Sequence, residues 1–251
     1  MGKTLVFVNQ KGGVGKTTSV INIGAYLALA GKKTLLVDFD PQGNMSSGTG
    51  VSKEKPTVYE LIAGEANASE TVKCAKVKNL DVISASIDLS GAAIELVDKE
   101  NREFYLKNAL SPLSEKYDYI LIDCPPSLGI LTLNGLVASD AVFVPMQCEY
   151  FALEGITLLL QTVKKVQETV NPSLTIGGIF FTMYDARTKL AQDVVAQVKS
   201  YFKDVVFNTI IPRNVRLSEA PSRGEPICVY DPSCVGAASY KKLTDEVINR
   251  G

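Results

Sequence analysis

The run Lys11-Gly12-Gly13-Val14-Gly15-Lys16-Thr17-Thr18 puts three glycines, two lysines and two hydroxyl side chains in eight residues. Gly12, Gly13 and Gly15 carry no Cβ, so the backbone can wrap closely around phosphate oxygens with its amides turned inward. A helix beginning where the loop ends adds its positive N-terminal end. In such a loop Lys16 reaches the β- and γ-phosphates of a nucleotide, Thr17 ligates Mg2+, and Thr18 meets the α-phosphate. The strict G-x-x-x-x-G-K-[ST] spacing is not met, because Gln10 stands where its first glycine belongs; Lys11 is an additional lysine. Two carboxylates belong with this chemistry. Asp123 ends an apolar run, where a carboxylate holds a magnesium-bound water. Asp40 lies just past another apolar run, at the edge of a sheet where ligands bind. The chain has no histidine, so imidazole base catalysis, a His triad and a His-ligated metal are excluded, and acid–base work falls to carboxylates, lysines or the nucleotide.

These residues need strands to end beside them and a helix to follow the loop, and the pattern supplies both. Apolar runs at residues 4–8, 34–37, 80–84, 119–122, 141–144, 175–181 and 205–211 predict strands. Helical spacing marks residues 17–30, closed by Gly31, the stretch after 84 through about 110, residues 153–170 and the C-terminus to about 250. Residues 41–55 read as loop with a short helix. Apolar strands without alternation, separated by helices, indicate parallel strands buried on both faces. The expected fold is α/β: a doubly wound, mostly parallel sheet flanked by helices, with residues 1–251 forming one phosphate-loop ATPase domain.

Composition agrees. The 251 residues are 46% apolar and 21% charged, ordinary for a globular chain with a substantial core. No apolar run reaches the ~18–20 residues that span a bilayer, and the N-terminus lacks a signal-peptide pattern. The expected compartment is the cytoplasm, where five widely spaced cysteines stay reduced. Net charge is −1, but residues 187–251 carry ten Lys/Arg against seven Asp/Glu, leaving the excess of acid in the rest.

Five blocks together resemble one family: NQKGGVGKTT at 9–18, LLVDFDPQGN at 35–44, DYILIDCPPSLG at 118–129, QCEYFALEG at 147–155 and IPRNVRLSEAPSRGEPI at 211–227. They are similar to the ParA/Soj chromosome- or plasmid-partitioning ATPases, in the deviant Walker A group that includes MinD and nitrogenase iron protein. The resemblance implies that Lys11 is the signature lysine reaching across an ATP-bound homodimer to the partner's phosphates. It implies that Asp40 positions the hydrolytic water, that Asp38 assists the magnesium shell through water, and that Pro212 and Asn214 contact the adenine. It further implies nonspecific binding of double-stranded DNA, release through a ParB-type centromere-binding partner that stimulates hydrolysis, and a nucleoid-associated location. Because the chain begins at the phosphate-loop strand, the N-terminal DNA-binding domain of some plasmid relatives is expected to be absent. DNA contacts in the family come from basic residues of the C-terminal third; here these are Arg187, Arg213, Arg216 and Arg223, with Lys199 and Lys203 four apart on one expected helix face.

Three other readings are weighed against this. A MinD-like membrane switch needs a basic, bulky amphipathic C-terminal helix, and residues 240–251 have mixed charge with no aromatic after Tyr240, so no stable membrane association is expected. An iron–sulfur electron carrier needs cysteines in glycine-rich loops near a dimer axis, and residues 84–95 have none. A non-hydrolysing nucleotide scaffold is separated by a turnover assay.

Overall fold

The computed structural model describes residues 2–149 and 152–250. Its strands are β1 (Lys3–Phe7), β2 (Thr34–Asp38), β3 (Val72–Cys74), β4 (Leu80–Ile83), β5 (Tyr119–Asp123), β6 (Ala141–Gln147) and β7 (Thr175–Thr182). Helices α1 (Lys16–Leu29), α2 (Asn44–Thr49), α3 (Val58–Ala63), α4 (Ala68–Thr71), α5 (Leu89–Glu95) and α6 (Tyr105–Leu110) fill the first half. Then come α7 (Ile130–Val137), α8 (Ala152–Thr169), α9 (Lys189–Phe202), α10 (Val215–Glu219), α11 (Ile227–Tyr230) and α12 (Val235–Asn249).

The strands form one sheet in the order β3-β4-β2-β5-β1-β6-β7. Every pairing is parallel except β3 with β4. The side-chain period of two splits each strand between two cores. Leu5, Phe7, Leu36, Tyr119 and Leu121 pack under α1, α2 and α12, whereas Val6, Val37, Ile120 and Ile122 pack under α7, α8 and α9. The doubly wound expectation is met. Chain order runs outward from β1 to one edge, then returns to fill the other side, so β1 and β5 flank the reversal where ligands bind at strand carboxyl ends.

One expectation is corrected. Residues 205–211 do not form a strand. Val206 and Pro212 make isolated bridges to Ile179 and Tyr184, and Phe207 N and Ile211 N still donate to the β7 carbonyls of Ile179 and Phe181 at 2.8 Å. Between them Glu246 on α12 takes the Asn208 and Thr209 amides at 2.9 and 2.8 Å, so no continuous ladder forms. Phe207 still packs flat on β7. A Cβ on Gly178 would lie 1.9 Å from its ring, so glycine is required there. The antiparallel edge strand β3 was not foreseen; it is three residues long and only partly buried, with no apolar run to announce it.

The C-terminal helix is tied down. Tyr240, Leu243 and Val247 of α12 are buried in the α1-side core, and the Tyr240 hydroxyl lies 3.0 Å from Ser19 Oγ on α1. Among the described residues, no helix is long and apolar enough to cross a membrane.

Candidate nucleotide-binding site

After β1 the chain turns through the glycine loop straight into α1. Gly13 and Gly15 take left-handed φ of 73° and 83°, a region that costs any residue with a Cβ, and Gly15 is the N-cap of α1. The loop lines a cleft of about 580 Å³ together with Lys16, Thr17, Thr18 and Asp40. Lys16 is 6% exposed. Its Nζ donates to the carbonyls of Asn9 and Lys11 at 3.1 and 3.2 Å. Burial lowers its pKa, opposed by the nearby Asp123 and Asp40 charges. Such a lysine rests on neutral acceptors that an anion in the cleft would replace.

Strand register assembles the acids. Asp38 on β2 is the direct partner of Asp123 on β5, and both share the face of Leu36 and Leu121. Asp38 is fully buried yet satisfied, accepting from Ser46 N at 2.8 Å and Ser46 Oγ at 2.6 Å. Burial pushes its pKa up to about 6, against the opposing effect of those hydrogen bonds. Asp123 is different: both carboxylate oxygens are buried and no hydrogen bond reaches either. Burial and then the Asp38 charge push its pKa well up; the Thr17 hydroxyl is close enough to oppose this without reaching hydrogen-bond geometry. A buried carboxylate without partners beside a loop threonine fits a hydrated Mg2+, whose shell its oxygens would complete. Among the described residues no three His, Cys, Asp or Glu side chains converge as a metal cage, so the other ligands would be Thr17, phosphate and water. Asp40 lines the cleft itself, 8% exposed, with Oδ1 accepting from Gln42 N at 3.0 Å.

The far wall of the cleft was not foreseen. Pro221 and Ser222 line it, in a 3-10 turn at Ala220–Arg223. The backbone beyond Asp40 packs on this turn. A Cβ on Gly50 would lie 2.8 Å from the Gly224 carbonyl oxygen, and one on Gly224 would lie 2.7 Å from Gly50 Cα. Gln42 and Asn44 are further lining residues that no spacing rule marked.

A second cavity of about 280 Å³ adjoins the first, lined by Pro212, Asn214, Leu217, Ser218 and Tyr240 among others. Asn214 also caps α10, its Oδ1 accepting from Arg216 N at 3.0 Å. Its lining mixes apolar side chains with the polar Asn214, Ser218 and Tyr240.

Other expected residues lie elsewhere. Lys11 is outside the cleft lining; its side chain pairs with Glu149 and is about half exposed. Val14 is buried below the loop, its carbonyl accepting from Thr182 Oγ1 at 2.7 Å. Lys199 and Lys203 do not share a helix face. Lys199 sits in the last turn of α9, while Lys203 follows the helix with φ 44°. Arg187 is held by Asp185 and Arg216 by Glu219 and Asp231. Arg213 and Arg223 are exposed and form no ion pair among the described residues. Tyr150 and Phe151 of the block at 147–155 lie outside the described residues.

Comparison with known proteins adds to this geometry. Residues 2–176 match the model of an AAA domain. The chain is 69% identical over its whole length, and 98% of the relative's, to the chromosome-partitioning ATPase Soj of Treponema pallidum. It is 54% identical to the sporulation initiation inhibitor protein Soj of Bacillus subtilis, with both chains fully covered. Among solved structures, a Mycobacterium smegmatis protein named cobyrinic acid a,c-diamide synthase, with bound ATP analogue and magnesium, superposes with a TM-score of 0.86 at 37% identity over 99% of this chain and 95% of that one. That name differs from the partitioning relatives, but its identity is far lower than theirs. By fold, phosphate loop and full-length identity, the chain belongs to the ParA/Soj family of chromosome-partitioning ATPases.

Proposed function

We propose that this chain is an ATP-driven DNA-partitioning switch, folded as one ATPase domain. The carrying observation is the shared wall of the phosphate cleft: the Asp40-to-Gly50 segment and the turn at Ala220–Arg223, closed by Gly224, meet backbone to backbone. A segment that reads the γ-phosphate is thereby mechanically joined to one that can meet DNA.

The residues divide the work as follows. Gly12, Gly13, Val14 and Gly15 offer backbone amides to the phosphates, with Thr18 at the α-phosphate and Pro212 and Asn214 at the adenine. Lys16 leaves the Asn9 and Lys11 carbonyls for the β- and γ-phosphates. Thr17, with Asp123 and Asp38 acting through water, would hold Mg2+, which when bound neutralises phosphate charge. Asp40 orients the attacking water; its carboxylate reaches the cleft while its backbone is fixed by the Gly43 amide, 2.9 Å from the Asp40 carbonyl. Lys11 exchanges Glu149 for the triphosphate of a second copy, so that pairing persists only while the γ-phosphate remains. Pairing aligns two basic faces built from Arg187, Arg213, Arg216, Arg223, Lys199 and Lys203, and phosphate contacts of this kind bind double-stranded DNA without base specificity. A ParB-type partner accelerates hydrolysis and release, in the cytoplasm and on the nucleoid. The packed α12 supports a reading without stable membrane association.

Retention on double-stranded DNA at low salt, compared between ATP and ADP, tests the switch. ATP alone should hold the protein on DNA, and Asp40→Ala should hold it there longer. Equal retention with both nucleotides overturns the reading.

A further inference from the structure

The antiparallel edge strand β3 carries a lysine that lines neither cavity of the nucleotide site. Lys73 pairs with Val82 on β4, so its side chain leaves the sheet on the face of Ser84, two residues further along that strand. Its Nζ donates to Ser84 Oγ at 2.8 Å, to the Ser52 carbonyl at 2.9 Å and to the Glu54 carbonyl at 2.5 Å. An ammonium has three donors, and here each one meets a neutral oxygen. Lys73 is half-buried and forms no ion pair among the described residues. Burial lowers its pKa, opposed by the Glu54 and Glu60 charges. Half-burying a cation without a paired anion costs free energy, which directs attention to what the cation holds in place.

Two lines run from Lys73 to the turn behind Asp40. The Ser52 and Glu54 carbonyls flank Lys53, whose own ammonium donates to the Gln42 carbonyl at 3.3 Å. On the other line, Ser84 precedes Ala85. Gly43 fits between the two lines: a Cβ added there would lie 2.8 Å from Lys53 Nζ and 2.9 Å from the Ala85 carbonyl oxygen. Both lines therefore end on Gln42 and Gly43. These two residues in turn grip Asp40, because Gln42 N donates to Asp40 Oδ1 at 3.0 Å and Gly43 N to the Asp40 carbonyl at 2.9 Å.

We propose that Lys73 is a positioning residue for ATP hydrolysis: from outside the nucleotide cavities it fixes the turn after Asp40, and with it the Asp40 carboxylate. This rests on the reading of Asp40 as the group that orients the attacking water. Phosphoryl transfer needs that water held in line with the leaving oxygen. A small drift of the group that aims it slows the chemistry and leaves the grip on phosphates and base intact.

The test is single-turnover hydrolysis and equilibrium ATP binding of the full chain, measured side by side with Mg2+ and DNA. Lys73→Met keeps the apolar stem and removes the charge and its donors. It should slow hydrolysis about tenfold while ATP affinity stays within about twofold. Lys73→Arg restores charge and donors and should recover most of the rate, whereas a space-filling role would already be met by methionine. Lys53→Met, at an exposed residue that leaves β3 untouched, cuts one of the two lines and should cost about threefold. In the Asp40→Ala background, Lys73→Met should slow hydrolysis no further. Unchanged hydrolysis in Lys73→Met overturns the inference, as does a loss that multiplies with that of Asp40→Ala, or an equal loss of rate and ATP affinity. Asp40→Ala hydrolysing at the wild-type rate would overturn the reading of Asp40 and this inference with it, a result distinct from a failure at Lys73 alone.

Discussion

The phosphate cradle and the basic C-terminal face are two charged regions built on opposite principles. In the cradle each group has a place fixed by backbone: Lys16 on two carbonyls, Asp38 on Ser46, Asp123 by register with Asp38. On the basic face the four arginines and Lys203 are exposed and Lys199 is half-buried, and Arg187 and Arg216 already face nearby acids. Geometry carries specificity in the first region; in the second only the sum of free charge counts, and the chain's own acids subtract from it. Substitutions in the cradle should therefore act singly and strongly, and those on the basic face weakly and in groups.

The largest effect is expected from Lys16→Ala. It removes charge-assisted hydrogen bonds to two phosphates, each contributing about 1.5–3 kcal/mol, so nucleotide affinity should fall roughly a hundredfold or more by calorimetry. Retained affinity would break the contrast outright, since no single residue would then dominate the cradle.

Asp123→Asn sharpens it by separating function from stability. The orphaned carboxylate costs stability in the free protein, so its neutral replacement should raise the unfolding free energy by about 2 kcal/mol while turnover is lost. The pH dependence has a definite sign. Asp38, raised to about 6 by burial, binds its proton more tightly when folded. Its contribution is fully present below the unfolded value near 4 and is lost as pH rises through about 6. By linkage this amounts to roughly 3 kcal/mol, and Asp123 acts in the same direction. Denaturant unfolding of the nucleotide-free protein should show stability falling from pH 4.5 to pH 7, and less so in Asp123→Asn. Stability that rises across that window would contradict the buried-acid account.

What could be read from residues alone follows the same division. The glycine loop, the apolar run ending at Asp123 and the helix after Lys16 depend on neighbours in sequence, and they stand where expected. The pairing of Asp38 with Asp123 joins residues far apart in the chain through β-register, so only the sheet reveals it. Residues 205–211 look like a strand because they are apolar; the carboxylate that takes their amides, Glu246, is on another element. Lys73 carries no local mark, since its acceptors lie at residues 52, 54 and 84. Charge counting found the basic excess but not which arginines form no ion pair among the described residues.

That last distinction gives the next test. Replacing Arg213 and Arg223 together by Ala should weaken DNA binding of the ATP form about tenfold and reduce the salt slope by about two per chain, at ~0.9 per phosphate contact. Replacing Arg187 and Arg216 together should cost only about twofold, because breaking their ion pairs offsets what the phosphates add. Arg213 also lines the base cavity, so both pairs are compared at saturating ATP. Equal losses would mean that the acids do not shield their partners.

The smallest effect concerns Lys203, where charge and backbone pull apart. Its place just beyond α9 forces φ to 44°, which costs a side-chain-bearing residue about 1 kcal/mol and glycine almost nothing. Lys203→Gly therefore removes one positive charge and one backbone strain at once. If the basic face works by summed charge, this variant should melt a few degrees higher while its DNA affinity falls less than in the Arg213 and Arg223 pair. Lys199→Ala, removing a charge from the regular last turn of the same helix, should match its loss of affinity without the gain in melting temperature. A Lys203→Gly protein that loses DNA binding altogether would show that this strained lysine is aimed, as the groups of the cradle are, and would erase the contrast between the two regions.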